Sequence, residues 1–187
     1  MVYSDAVLDR VVIIDTETGG LEPDEHSLLT LALVTGRDTA RLDLTIAEPT
    51  IVVTPKSLEI NRLDPAQIAA TGLPPAAACD AIEAFLERNR PGQDWILCGH
   101  NVTFDVNFLK RLYRLAGRPY PKRLGHRTID THTLLWALGA TGRLPPLKGS
   151  DDAFRHFGLE PPTELRHTAL GDAVATQALL VRLLESM

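Results

Sequence analysis

The sequence predicts an α/β layered domain in which helices flank a mixed central sheet. Residues 10–47 hold three β-rich runs joined by short connections. The chain beyond them alternates a buried apolar run with stretches of helical period. At 187 residues, 44% hydrophobic and 23% charged, it has the length and composition of one domain with a sizeable core, taken as 1–187.

The elements follow in order. "VVIIDTETGG", residues 11–20, opens with four β-branched residues and places a strand over 10–16; runs at 28–36 and 40–47 add two more, plausibly a meander because the connections are short. "LDPAQIAATG" starts a short helix with Asp64 as cap and Pro65 at its first position, and "AAACDAIEAFLERN" is amphipathic with helical period. "DWILCG" reads as a buried strand running into a helix from about Thr103 to Ala116. "DTHTLLWALG" and "SDDAFRHFG" read as two short helices, and a last helix runs from about Thr168 to Leu184. The proline-rich points "GLPP", "RPYP", "LPP" and "EPP" fit loops, and no internal repeat is present.

No apolar run approaches the roughly 18 residues of a membrane span, and "MVYSDAVLDR" lacks the basic and apolar regions of a signal peptide, so no membrane association and a cytoplasmic location are expected. Cys79 and Cys98 sit in apolar segments without metal-ligand spacing and read as small core residues in a reducing compartment. The net charge of −5 argues mildly against a nucleic-acid partner. Residues 110–127, "KRLYRLAGRPYPKRLGHR", carry seven Lys/Arg and no acid, which leaves −12 on the remainder. That stretch is either a phosphate-binding surface beside a carboxylate site or a solvated helix face and loop.

Three short segments carry candidate chemistry. Asp15 and Glu17 are two apart on a strand and so project to the same face, where two carboxylates repel unless a cation lies between them. Mg²⁺ prefers such oxygen ligands, and the following Gly19 and Gly20 let another segment approach closely. In "GHNVTFDVNFL" a strand exits through Gly99 and His100 into a helix whose first turn carries Asp105. In "RHTALGDAVATQALL", Asp172 again lies in a first turn, five residues after His167. Singly, a turn onset or a helix-dipole interaction explains each acid. Together, four carboxylates at element ends plus an imidazole are the parts of a two-metal hydrolase, with acids to hold ions and a His to take a proton from water.

These residues resemble the proofreading-type, histidine-containing branch of the DEDD exonucleases, which have an RNase H-like fold. "DTETGGL", "GHNVTFD" and "HTALGD" are similar to its three motifs in order and spacing. The tyrosine branch would carry Tyr at 168, where Thr168 stands, and "DTETGG" departs from the oligoribonuclease-like pattern. The resemblance implies that Asp15, Glu17 and Asp172 bind a first Mg²⁺ or Mn²⁺, that Asp15 bridges to a second ion supported by Asp105, and that His167 is the general base. It further implies 3′-to-5′ removal of nucleoside 5′-monophosphates from a single-stranded or frayed 3′ end, with Thr16, Thr18, Leu21, His100, Asn101 and Phe104 gripping the last nucleotides. For Leu21 and Phe104 a core role is the alternative.

DNA is favoured over RNA as the expected substrate. An RNA-trimming exoribonuclease, a polymerase proofreading subunit and a catalytically silent nucleic-acid-binding module are the alternatives. With the last helix ending next to Met187, a stand-alone enzyme or domain-sized nuclease is expected, while a protein partner or homodimer is not readable from the residues.

Overall fold

The computed structural model describes residues 5–37 and 40–187. Its centre is a five-stranded mixed sheet of order β3-β2-β1-β4-β5. β1 (Val11–Thr18) lies in the middle, antiparallel to β2 (Leu28–Thr35) and parallel to β4 (Ile96–Gly99). β3 (Arg41–Thr45) pairs antiparallel with β2 and β5 (Thr128–Asp130) parallel with β4. The expected three-strand meander is therefore present, and the parallel pairing comes from the crossovers that follow it.

The helices are α1 (Asp5–Leu8), α2 (Pro55–Asn61), α3 (Pro65–Thr71), α4 (Pro75–Asn89), α5 (Thr103–Leu115), α6 (Thr131–Ala140), α7 (Ser150–Phe157) and α8 (Ala169–Glu185), with a 3₁₀ turn at Lys122–Leu124. The period-two alternation of β1 divides the core. Val12 and Ile14 face a cluster that takes Phe85 from α4 and Phe108, Leu109 and Leu112 from α5. Val11 and Ile13 face Ala169, Ala173 and Leu180 of α8. A third cluster joins α6, α7 and α8 through Leu135, Leu138, Phe154, Leu179 and Leu183. All of these named core side chains are buried. Continuing the alternation, Asp15 and Glu17 emerge on the α8 side of the sheet and Thr16 on the α5 side. β1 ends in a register shift between Glu17 and Thr18.

Several elements differ from the sequence expectation, α1 among them. The third strand stops at Thr45, after which Ile46 makes an isolated parallel bridge to Leu73. β5 is unanticipated because three residues carry no readable period. α2 also goes unanticipated, although Thr54 accepts from the Ser57 N–H as N-cap and Pro55 follows at the first position. The basic stretch 110–127 follows the solvated-face alternative for most of its arginines: Arg111, Arg114, Arg118 and Arg123 pair with Glu48, Asp24, Asp80 and Glu87, while Lys110, Lys122 and Arg127 are exposed. No described helix is long and apolar enough to cross a membrane. Cys79 and Cys98 are free and buried, as expected.

Candidate active site

Asp15, Glu17 and Asp172 come together where the C-terminal end of β1 meets the first turn of α8, each offering an oxygen within 4.8 Å of the others. Asp172 is placed by the helix start: Thr168 caps α8 by accepting from the Gly171 N–H at 3.1 Å and donates its hydroxyl to the Leu165 carbonyl oxygen at 2.8 Å. That capping folds the preceding loop against the helix, an approach that only glycine at 171 permits, because a Cβ there would lie 1.9 Å from the Leu165 oxygen. The loop delivers His167 with φ 59°, the left-handed region that non-glycine residues seldom occupy.

Asp105, from the first turn of α5, is buried on the other side of β1, and its carboxylate accepts from the Thr16 hydroxyl at 2.7 Å. Its charge is the largest of the three carboxylate influences on Asp15. The alternation of β1 therefore assigns different tasks to neighbours: Asp15 and Glu17 face Asp172, while Thr16 orients Asp105.

No Lys or Arg among the described residues forms an ion pair with any of the four acids. Burial above all, then repulsion from Asp105, Asp172 and Glu17, holds Asp15 well above the usual carboxylate range. Burial and then Asp172 and Asp105 push Glu17 up to about 8. Burial pushes Asp105 up to about 7 against the opposing Thr16 hydrogen bond. Asp172 is raised by burial, opposed first by the nearby His167. Carboxylates packed this tightly, with no Lys or Arg ion pair among the described residues to offset them, have the donor chemistry and spacing that suit a hard divalent cation.

Two recesses adjoin this cluster. A small cleft of about 180 Å³ is lined by Asp15, His100, Ser150, Asp151, Phe154, His167, Asp172 and Thr176. A larger groove of about 640 Å³ runs past Thr16, Glu17, Thr18, Gly20, Leu21 and Phe104 to α2, which contributes Lys56, Ser57, Ile60 and Asn61. Leu21 is 76% exposed on its rim, which excludes the core alternative for it. Phe104 is half-buried against the core and also lines the groove. The glycine after the acidic pair does what the sequence implied: Gly19 admits the backbone of Val52, whose oxygen a Cβ would meet at 2.0 Å, and its carbonyl accepts from the Thr54 N–H and the Ser57 hydroxyl. This ties α2 to the end of β1 as the far wall of the groove.

Among the other expected contacts, Thr18 donates its hydroxyl to the Gly20 carbonyl oxygen and so shapes the turn. Asn101 is exposed with φ 58° and lines neither recess. Its side-chain oxygen accepts from His132 Nδ1 at 2.7 Å. His100 is fixed more tightly. Thr131 donates to the Gly99 oxygen, so the His100 Nδ1 beside that hydroxyl at 3.0 Å is the donor. Burial, with His132 next to it, lowers its pKa and favours the neutral ring. Sequence reasoning missed Asp130, Thr131 and His132. Asp130 accepts from the backbone N–H groups of Asn101 and His132 and so joins the second motif to α6. The N-cap pattern of "DTH" was the available signal.

With this geometry in hand, similarity to known proteins is specific. The pattern of a family described as Exonuclease (RNase_T) matches residues 12–180. A curated protein of Rhodobacter capsulatus, described as a DNA polymerase III subunit epsilon-like protein, is 33% identical over 191 residues, covering 96% of this chain and 25% of its own length. The fold matches exonuclease I of Methylocaldum szegediense (TM-score 0.72, 21% identity, 94% of this chain and 40% of that one). It also matches the nuclease domain of 3′hExo, a DEDDh family member bound to rAMP (TM-score 0.73, 13% identity, 94% and 91%). The chain thus spans a quarter of the curated relative and about two fifths of the exonuclease I chain.

Proposed function

The chain belongs to the exonuclease family whose pattern it matches over 12–180, and from that premise we propose that it is a divalent-metal-dependent 3′-to-5′ exonuclease acting on single-stranded or frayed ends, with DNA favoured over RNA. The observation that carries this reading is the grouping of Asp15, Glu17 and Asp172 at the mouth of a cleft that also receives His167.

Asp15, Glu17 and Asp172 would hold one Mg²⁺ or Mn²⁺ and Asp105, beside Asp15, would support a second. Bound there, the ions would offset charge on the phosphorane-like transition state and the leaving 3′ oxygen. The protein's own groups do the remaining work. His167 accepts the proton of the attacking water. Its constrained backbone aims the ring into the cleft. Thr16 would hold the Asp105 carboxylate in place through its hydroxyl. Leu21 and Phe104 offer apolar surfaces to the terminal bases, contacts that tolerate any sequence. Thr18 supports the Leu21 turn, and His100 and Asn101 bound the approach to the cleft.

The preference for DNA is supported by the description of the Rhodobacter capsulatus relative and by an Escherichia coli exonuclease I of the same fold, solved with a dT13 oligonucleotide (TM-score 0.72, 19% identity). The rAMP complex of the 3′hExo nuclease domain supports RNA trimming as the competing reading. Proofreading beside a polymerase rests on the relative's description alone. A silent binding module is disfavoured because none of the five matched positions is lost. All the described strands pair in one sheet, which supports a single domain, and two free buried cysteines suit a cytoplasmic location. Incubating end-labelled DNA and RNA oligonucleotides with Mg²⁺ or Mn²⁺, with and without Asp15→Asn or His167→Ala, tests the reading. Stepwise shortening that survives both substitutions would remove the assignment.

A further inference from the structure

α6 starts at the active cleft and carries an exposed aromatic face away from it. His100, which lines the cleft, stacks on His132 at 5.3 Å between ring centroids with a 30° interplanar angle. Trp136 follows His132 by four residues, hence one turn and about 6 Å further along the same helix face. It is 71% exposed, unusual for a side chain that proteins bury on average, and none of the described aromatic rings stacks against it.

Acids lie only at the two ends of this region, Asp130 at the cap of α6 and Asp151 and Asp152 at the start of α7. "THTLLWALGATGRLPPLKG", residues 131–149, contains no Asp or Glu. Its cations Arg143 and Lys148 are exposed and form no ion pair with a described residue, unlike the four arginines of the 110–123 region that are matched to acids. The segment also returns to the site: Arg143 and Leu144 donate their N–H groups to the Leu138 carbonyl oxygen, folding the loop over the end of α6, and the chain then reaches Ser150 at the wall of the cleft.

We propose that the exposed face of α6, built from His132 and Trp136 and flanked by Arg143 and Lys148, is a stacking track for single-stranded nucleic acid upstream of the terminal nucleotide. The track rests on the exonuclease reading and adds to it a surface beyond the cleft and groove. Bases stack on the rings, which needs no sequence preference, and the two cations meet the backbone phosphates.

The protein has two tryptophans, and the other, Trp95, is only 4% exposed, so fluorescence quenching by a ligand reports on Trp136. Wild type, Trp136→Phe and Trp136→Ala are titrated in EDTA with single-stranded oligonucleotides of two and twelve nucleotides, using fluorescence anisotropy of a labelled strand. The same variants are assayed for cleavage with Mg²⁺. The track predicts quenching of wild type by the twelve-mer, roughly tenfold weaker twelve-mer binding by Trp136→Ala, near-complete rescue by Trp136→Phe, and unchanged dimer cleavage. Equal twelve-mer affinity for all three proteins overturns it, as does a change in oligomeric state of Trp136→Ala by light scattering without a change in affinity, which would make the face a protein contact. If wild type neither binds nor cleaves any strand, the exonuclease reading fails. If wild type cleaves and Trp136→Ala is indistinguishable from it at both lengths, only the track fails.

Discussion

Glu17 keeps its proton up to about pH 8 in the metal-free protein, because burial and the charges of Asp172 and Asp105 disfavour its ionised form. Its ordinary value is 4.5. A carboxyl raised on folding binds its proton more tightly in the native state, so its stabilising effect is complete below 4.5 and is lost as pH rises through about 8. The thermal midpoint in EDTA should therefore fall between pH 5 and pH 8.5, and Glu17→Gln should flatten that fall. A divalent ion competes with the retained protons, so added Mn²⁺ should raise the midpoint more at pH 8 than at pH 6. Equal stabilisation at both would argue against these acids as ligands. As the proposed general base, His167 would have a different signature. His167→Ala should lower turnover on a single-stranded substrate by roughly 100- to 10,000-fold, the range expected for a lost general base, with little change in Mn²⁺ affinity by calorimetry. A parallel loss of both would make the imidazole a ligand.

The elements meet at points where one residue controls a whole segment. Gly171 is such a point. Gly171→Ala places a methyl carbon against the Leu165 oxygen, so the loop carrying His167 has to move away from α8. The predicted result is a turnover defect larger than the loss of metal affinity, because Asp172 stays on the helix while the base is displaced. Arg111 is another. It bonds both oxygens of the buried Glu48 and the carbonyl oxygens of Pro23 and Asp24, clamping the loop after Leu21 to α5. The side chains of Arg111 and Glu48 are 12% and 1% exposed, so Arg111→Ala should cost about 3–5 kcal/mol in chemical denaturation by leaving an uncompensated buried carboxylate. Element-scale features of this kind were only partly legible in the sequence. β1 to β4 and the helices from α3 to α8 announce themselves by period, turn residues and caps, and the position of each acid at an element end follows from them. The pairing of Arg111, Arg114, Arg118 and Arg123 could not be read, because their partners lie 36 to 90 residues away and only the fold brings them near. β5 and the His100–Thr131–His132 contacts share that dependence on tertiary pairing. The division of labour on β1 needed the structure too: alternation gave Asp15 and Glu17 a common face, but the Thr16 bond to Asp105 depends on how α5 docks.

At the scale of the molecule, a chain of net charge −5 has to bind a polyanion locally. With Arg111, Arg114, Arg118 and Arg123 engaged by acids, the cations of the basic 110–127 segment left for phosphate are Lys110, Lys122 and Arg127, so affinity for single strands should fall with rising salt but with a shallow log–log slope, measured by anisotropy between 50 and 200 mM salt. A steep slope would mean an electrostatic surface larger than the cleft, the groove and α6 provide. The same reasoning makes catalysis depend on divalent ions rather than on protein charge, since the four acids would otherwise repel the scissile phosphate. The most direct measurement is a time course on a 5′-labelled single-stranded oligonucleotide with Mn²⁺, Mg²⁺ or EDTA, with the released products identified by mass. The predicted result is a ladder that shortens by one nucleotide at a time from the 3′ end, releases nucleoside 5′-monophosphates, and disappears in EDTA and in Asp15→Asn. Cleavage that persists in EDTA, or a strand left intact by the wild-type protein with both metals, would contradict it.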